Sequence, residues 1–302
     1  VLFRSILNDT LHHEPYVSAW YPPSTVLYWP GDMGYPYASS SGSFDPLVRI
    51  GKDLHYVVEN TGRVYKLDKK GEGLSFKRID ETVYSGYNFG AYTFQYNDTI
   101  WSLGGYGFWQ QNAHLRFFSK GANGWEIMPV NRKVYHMYHP NNNFLDIEKG
   151  VLYVITGTIV EDGIKNKAMY TSDTINIMAL DLKTKNWTEA GSVNPDLDPN
   201  FFPPPTPFRL PWGKFGIMGP KHEFKTYCYD FRNNEILVLK DRSLASRIFD
   251  GLFPSRNSQH YPYRTLHYHF NDTLHIINSN RQHFRIRVTR DDFTSKIGRV
   301  HV

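Results

Sequence analysis

The sequence keeps returning to one short hairpin. "YNDTIWSLGG" sets Asn97-Asp98 between the runs "AYTFQ" and "TIWSLGG". Asx residues tolerate the left-handed backbone of a tight two-residue turn, so the string predicts a β-hairpin. Close copies are "HFNDTLHII" and "ILNDTLHHE", and looser ones are "RIGKDLHYVVE", "DIEKGVLYVITG" and "LPWGKFGIMGP". The first apolar residues after the turns are Leu11, Leu54, Ile100, Leu152, Phe215 and Leu274, at intervals of 43, 46, 52, 63 and 59 residues. Insertions such as "GTIVEDGIKNKAMYTSDT" and "NPDLDPNFFPPPTPFRLP" account for the longer intervals.

A third and a fourth strand follow most anchors, as in "INIMALDLKTKNWTEAGSV" and "KTYCYDFRNNEILVLKD". Each unit therefore reads as a four-stranded antiparallel meander of about 50 residues, the repeat of a β-propeller blade. An aromatic share of 16% supports an all-β chain. A parallel α/β fold needs crossover helices, and the pattern offers none. "SLASRIFDGLFP" predicts one or two helical turns on a loop. The expectation is a single domain over 1–302, with six blades, or five plus an N-terminal arm because "LHHEPYVSAWYPPS" leaves the meander early. Gly104-Gly105 is read as the end of an inner strand where blades crowd and side chains must be small. A phosphate-binding loop is excluded because no helix follows "GGYG".

"TIWSLGGYG", with Trp125 in "GWEIMPV" 25 residues after Ile100, resembles a kelch repeat. "VLYVITG…INIMALDLKTKNWTEAG", with Gly157 and Trp187, resembles it too, and the other copies lack the glycine pair. The chain thus resembles divergent kelch-like, galactose-oxidase-type propellers of bacterial surface and periplasmic proteins. That family's copper site, with its Cys–Tyr crosslink, has Cys228 as its one thiol candidate. Cys228 reads as a mid-strand structural residue between Tyr227 and Tyr229, so no cofactor is carried over.

Bulk properties narrow the function classes. Lys and Arg number 34 against 29 Asp and Glu, a net charge of +5 without a basic stripe. Arg285 and Arg287 in "HFRIRVTR" share a strand face and read as an exposed basic edge, not a nucleic-acid groove. One cysteine forms no internal disulfide. No apolar run reaches 18 residues, so membrane association would come through partners. The chain opens on Val1, which fits removal of a leader.

Candidate binding residues lie in two stretches. "SAWYPPSTVLYWPGDMGYPYASSSG" gathers Trp20, Tyr21, Tyr28, Trp29, Tyr35 and Tyr37 on a proline-stiffened loop suited to a sugar face or a protein partner. The opposing reading is that these rings plug the fold. "GFWQQN" sets Phe108 and Trp109 beside Gln110 for a polar ligand, or for an inter-blade loop. His267 and His269 share a strand face and offer two metal ligands, without the third that a zinc site needs. They read more simply, with His275, as paired cross-strand histidines. "FDPLVRIGKDLHYV" is similar to the opening of five-bladed arabinanase-like hydrolases, which would make Asp45 a general base. The second carboxylate such hydrolysis requires is not evident, and Asp45 also reads as a cap before Pro46. The sequons at Asn8, Asn97, Asn186 and Asn271 are explained by hairpin chemistry.

The sequence therefore points to a non-enzymatic recognition propeller. It would be an exported subunit of a periplasmic or cell-surface assembly, binding a protein or glycan through aromatic loops. A carbohydrate-active enzyme and an intracellular kelch-type adaptor are the alternatives.

Overall fold

The structure is a computed structural model that describes residues 27–28, 47–57, 62–70, 73–81, 91–107, 110–135, 143–156, 158–162, 165–169, 175–193, 208–210, 212–218, 225–252, 266–270, 272–277 and 282–295. Five sheets of three to five strands, antiparallel except where β1 joins the first, follow one another along the chain. In the first, β1 (Leu27–Tyr28), β2 (Leu47–Ile50), β3 (Asp53–Val57), β4 (Val64–Lys70) and β5 (Gly73–Arg78) take the order β1-β5-β4-β3-β2. The second comprises β6 (Tyr92–Tyr96), β7 (Thr99–Leu103), β10 (Leu115–Ser119) and β11 (Gly124–Met128). Between β7 and β10 stands a small hairpin, β8 (Tyr106–Gly107) with β9 (Gln110–Gln111).

The third sheet repeats this plan with β12 (Asn143–Asp146), β13 (Val151–Thr156), β16 (Ile175–Asp181) and β17 (Asn186–Val193). Its inserted hairpin is β14 (Thr158–Asp162) with β15 (Lys165–Met169). The fourth has β18 (Phe208–Leu210), β19 (Gly213–Met218), β20 (Lys225–Asp230) and β21 (Glu235–Leu239). Helix α1 (Arg242–Leu252) follows it. The fifth has β22 (Leu266–Phe270), β23 (Thr273–Ile277) and β24 (His283–Arg287). A last strand, β25 (Phe293–Ser295), returns past the fifth sheet to pair antiparallel with β21 of the fourth.

Five predicted anchors, Leu54, Ile100, Leu152, Phe215 and Leu274, fall on the second strand of the five sheets, and Leu11 lies outside the described residues. Turn chemistry explains the agreement. Asn97 and Asp98 both have positive φ (49° and 53°), as a two-residue hairpin turn requires, and Asp272 repeats this at 56°.

Packing follows chain order. Ile50, Val57 and Val64 of the first sheet bury against Ile100 and Phe118 of the second. Tyr92, Phe94, Trp101 and Leu103 of the second bury against Leu152, Val154 and Leu180 of the third. Phe144, Tyr153 and Ile177 of the third meet Tyr229 and Phe231 of the fourth. Phe215, Cys228 and Leu237 of the fourth meet Leu274, Ile276 and Ile286 of the fifth. Strand β13 makes the logic plain. Its even-numbered Leu152 and Val154 face one neighbour, and its odd-numbered Tyr153 and Ile155 face the other. A strand buried on both faces reads as a continuous apolar run, as "VLYVI" does.

Three features depart from the expected uniform meander. The fifth sheet has three strands among the described residues, while β25 gives the fourth a fifth strand. β1 pairs with β5 in parallel, Leu27 opposite Leu74. The helix is longer than one or two turns. Asp241 opens it by accepting from the Ser243 amide (2.7 Å) and hydroxyl (2.8 Å). Leu244, Ala245 and Ile248 then bury one helical face against the last two sheets.

Candidate functional site

Antiparallel order sorts the connections of each sheet to two ends. Turns between first and second strands, and between third and fourth, share one end. Links between second and third strands, and from one sheet to the next, share the other. The first end carries short turns, such as Gly51-Lys52, Asn97-Asp98 and Leu182–Lys185. The second carries the long segments, including the hairpins β8–β9 and β14–β15. At the first strands and the inserted hairpins two contacts align the ends between neighbours, whereas the Glu81 amide after β5 donates to the Asn123 carbonyl in the β10–β11 turn (2.8 Å) and joins opposite ends of the outer strands. The Gly51 amide donates to Asp98 Oδ1 across the first two sheets (3.1 Å). Strand β9 of one inserted hairpin packs on β15 of the next.

The short-turn end is fastened by charge. Arg232, in the β20–β21 turn, donates from Nε to Asp146 Oδ2 (2.6 Å) and from a terminal nitrogen to Asp146 Oδ1 (2.9 Å). The same terminal nitrogen reaches Glu148 Oε2 at 2.9 Å. The Asp146 side chain is wholly buried, while a quarter of the Arg232 side chain is exposed. Asp230, also buried, accepts from the Arg232 amide (2.9 Å), the Asn233 amide (3.1 Å) and Arg290 Nε (3.2 Å). Arg290 also reaches Glu235 at 2.5 Å, which ties the segment before β25 to the fourth sheet. Burial, with the Asp146 charge nearby, pushes the Tyr153 hydroxyl above its usual range, so it remains a neutral packing group.

The base of the long-loop end is built on Gly104-Gly105. Both have positive φ, 67° and 116°, which turns the chain out of β7 into the β8–β9 hairpin. The positive φ values give the glycine pair a reason in backbone conformation, and both residues are buried. β7 is the second strand of its sheet, one in from β6. The Gly104 carbonyl accepts from the buried Arg116 guanidinium. The Gly105 carbonyl accepts from the Asn112 amide (2.9 Å) and its side chain (3.2 Å), and Asn112 Oδ1 accepts from the His114 amide (3.2 Å). No helix follows the glycines, in keeping with the exclusion of a phosphate loop.

The predicted site residues meet this frame unevenly. Tyr28 closes β1 opposite Ser75, and Gln110 lies in β9 opposite Gly107. The β1 terminus after Tyr28 and the start of β2 at Leu47 both lie at the long-loop end, because β1 runs parallel to β5. Trp20, Tyr21, Trp29, Tyr35, Tyr37, Asp45, Phe108 and Trp109 lie outside the described residues. His267 and His269 stand in register with Ile276 and Leu274, whose side chains enter the core. Among the described residues no three His, Cys, Asp or Glu side chains gather as a metal site. Arg285 and Arg287 are exposed on β24, as expected of a basic edge. Cys228 is fully buried beside Phe215 and Leu237, and burial drives its thiol far above the ordinary range.

Sequence reasoning missed the arginine fastenings and the pairing of His275 with His283. The Asp146–Arg232 pair spans 86 residues, and no local pattern announces a partner that distant. The Trp residues behind the kelch resemblance are inter-sheet residues. Trp125 Nε1 donates to the Gly62 carbonyl of the first sheet (2.6 Å), and Trp187 is buried against the second. Asn131, just past β11, exchanges two hydrogen bonds with the Trp187 backbone, at 2.7 and 3.1 Å.

Serial, face-packed antiparallel sheets with short turns at one end and inserted hairpins at the other define the class: an all-β repeat architecture. No family model matches the sequence, and no curated protein matches it. Among solved structures the chain is similar to one titled "Structure of YjhT", with 11% identity and a TM-score of 0.42, over 82% of this chain and 95% of that one. The fold assignment rests on the strand order and the inter-sheet contacts themselves.

Proposed function

We propose that the sheets are blades of a closed β-propeller and that the chain is a non-enzymatic recognition scaffold. Its long-loop end would bind a protein or a glycan. The carrying observation is the division between the two ends. The Arg232–Asp146 pair and tight turns fasten one, and the links that follow second strands, including both inserted hairpins, lie at the other, with β9 packed on β15. A rigid frame that presents loops from one end is how recognition surfaces are built. Tyr56, Tyr65 and Leu67 on the far face of the first sheet are buried as well, which calls for a further layer there. The segment before Leu47, with its own hairpin copy at Leu11, is the candidate sixth blade. In keeping with the kelch-like resemblance, the scaffold would work in the periplasm or at the cell surface.

The buried carboxylates support binding over hydrolysis. Asp80, Asp146 and Asp230 are each held by an arginine, at 3.2, 2.6 and 3.2 Å. Glycosidic hydrolysis instead uses two carboxyl groups facing one bond. The test is binding to an array of glycans and to envelope extract, comparing wild type with the Trp20→Ala/Trp29→Ala double variant and with Lys183→Ala at the short-turn end. The proposal expects loss of binding in the first variant alone. Undiminished binding in the tryptophan variant, or equal loss in both, refutes it.

A further inference from the structure

The face that the first sheet turns toward the second is apolar in one part and charged in another. Val57, Val64 and Ile79 meet Ile100 and Phe118. Strand register sets His55 opposite Lys66 and Lys66 opposite Lys77, so these three side chains share that face with Asp53 and Asp68. Like charges directly opposite each other destabilise a strand pair. Lys66 is offset by Asp53 Oδ2 (3.2 Å) and Asp68 Oδ1 (3.6 Å). Lys77 is exposed and has no ion pair among the described residues. The β10–β11 turn of the second sheet lies over the same region. Its Asn123 carbonyl accepts from the Glu81 amide (2.8 Å), and Trp125 just beyond reaches the Gly62 carbonyl (2.6 Å). The turn brings Lys120 near His55, and Lys120 is also exposed and without an ion pair among the described residues. Glu81 accepts from the Asn123 side chain (3.4 Å), so the carboxylates here have partners and two ammonium groups do not.

We propose that Lys77 and Lys120, on either side of the His55–Lys66 row at the seam of the first two sheets, bind a doubly charged phosphate group. Two strand spacings, about 10 Å, separate the Lys77 and His55 backbones, and long flexible lysine stems close on one anion from both sides. A phosphate monoester carries a charge of about −1.5 to −2 at neutral pH, which matches two ammonium groups, and lysine binds phosphate as a point charge. A sulfate monoester brings a single charge and leaves one lysine unmatched. Asp53 and Asp68 oppose an anion and hold the affinity down. Binding also acts on His55. Burial lowers its imidazole most, the Asp53 carboxylate opposes that, and Lys120 and Lys66 add to it. The charges around the ring are therefore Asp53 on its own strand, Lys66 on β4 with Lys77 beyond it, and Lys120 from the second sheet. An anion beside the lysines cancels their repulsion, so binding and protonation of His55 favour each other. The site lies apart from the long-loop end and is tested independently of the recognition reading.

The test is titration of the full chain with glucose 6-phosphate, inorganic phosphate, glucose 6-sulfate and glucose, followed by calorimetry and by the ring-proton resonances of His55. The chain has 13 histidines, and His55→Gln assigns the resonance. Either phosphate should shift it saturably and raise its apparent pKa, the sulfate ester should bind more weakly, and glucose should do nothing. Tighter binding of the sugar phosphate than of inorganic phosphate makes an ester the ligand, and the reverse order makes it the free ion. Lys77→Met and Lys120→Met should each weaken phosphate binding by about fivefold, the upper range for an exposed ion pair. Lys183→Ala should leave it unchanged. Both seam lysines are exposed, and melting of each variant without ligand checks that it folds. Phosphate affinity unchanged in either lysine variant, equal loss in Lys183→Ala, an equally tight sulfate ester, or a His55 resonance that does not move overturns the site.

Discussion

Replacing Arg232 by Met tests whether the short-turn end holds the third and fourth sheets together. The substitution keeps the aliphatic stem and leaves the wholly buried Asp146 carboxylate with the Lys149 amide as its donor, at 3.2 Å. Breaking a buried ion pair from one side costs about 3–5 kcal/mol. The Arg232 side chain is 25% exposed. Water can therefore enter the vacated space, which puts the cost at the lower end, about 3 kcal/mol. Asp146→Leu strands less, because Glu148 still receives the guanidinium at 2.9 Å. That variant should lose about 1–2 kcal/mol. The double variant exchanges the pair for apolar contact and should cost no more than Asp146→Leu alone, leaving a coupling energy of at least about 3 kcal/mol. Urea unfolding reads this directly. With a slope near 3 kcal/mol/M, Arg232→Met should lower the midpoint by about 1 M. A loss under about 1 kcal/mol for Arg232→Met, or additive single variants, would refute a cooperative fastening.

Two other predictions bear on the frame. Gly213→Ala places a methyl against the Tyr229 backbone carbonyl, which cannot move without breaking the β19–β20 ladder. The variant should lose more than about 3 kcal/mol, beyond the ordinary range for overpacking, and a midpoint within 0.3 M or so of wild type would contradict that close approach. His55 is 4% exposed on β3, and burial holds its imidazole below the usual value of 6.5. The unfolded chain then binds this proton more readily than the folded one. Stability from this group is complete above pH 6.5 and falls as the pH drops from there toward the folded-state value. His55→Gln should flatten that part of the melting-temperature profile, and an identical slope in the variant would remove His55 as its source.

How far the sequence reveals the molecule depends on the range of each interaction. The Asn97-Asp98 turn was legible because its constraint is local: two adjacent residues adopt positive φ, and Asx residues tolerate it. Alternating burial made β13 legible, because its neighbours on both sides are apolar. The helix was under-read because its amphipathic face is short and its cap, Asp241, resembles any turn aspartate. The parallel pairing of β1 and the return of β25 to the fourth sheet were not legible. A strand of two or three residues carries no mark of which sheet edge it will cover, and that choice depends on chain length and on edges left open elsewhere. The candidate site divides the same way. The glycine pair was found, but its reason came only with the φ values. The arginine fastenings required the fold itself.

The placement of these fastenings has a consequence for how the molecule can vary. A long insertion costs little in closure entropy, provided the strands it joins are already fixed. Here they are fixed elsewhere. Asp146 and Arg232 tie the third sheet to the fourth beneath the turns, Arg290 holds the segment before β25 to Asp230, and Trp125 and Asn131 tie successive sheets further out. The β8–β9 and β14–β15 hairpins can therefore differ in length without disturbing strand register. Gly104 and Gly105 turn the chain outward, and Arg116 and Asn112 hold the turned-out carbonyls. The hairpin thus has a rigid stem whatever residues occupy its tip.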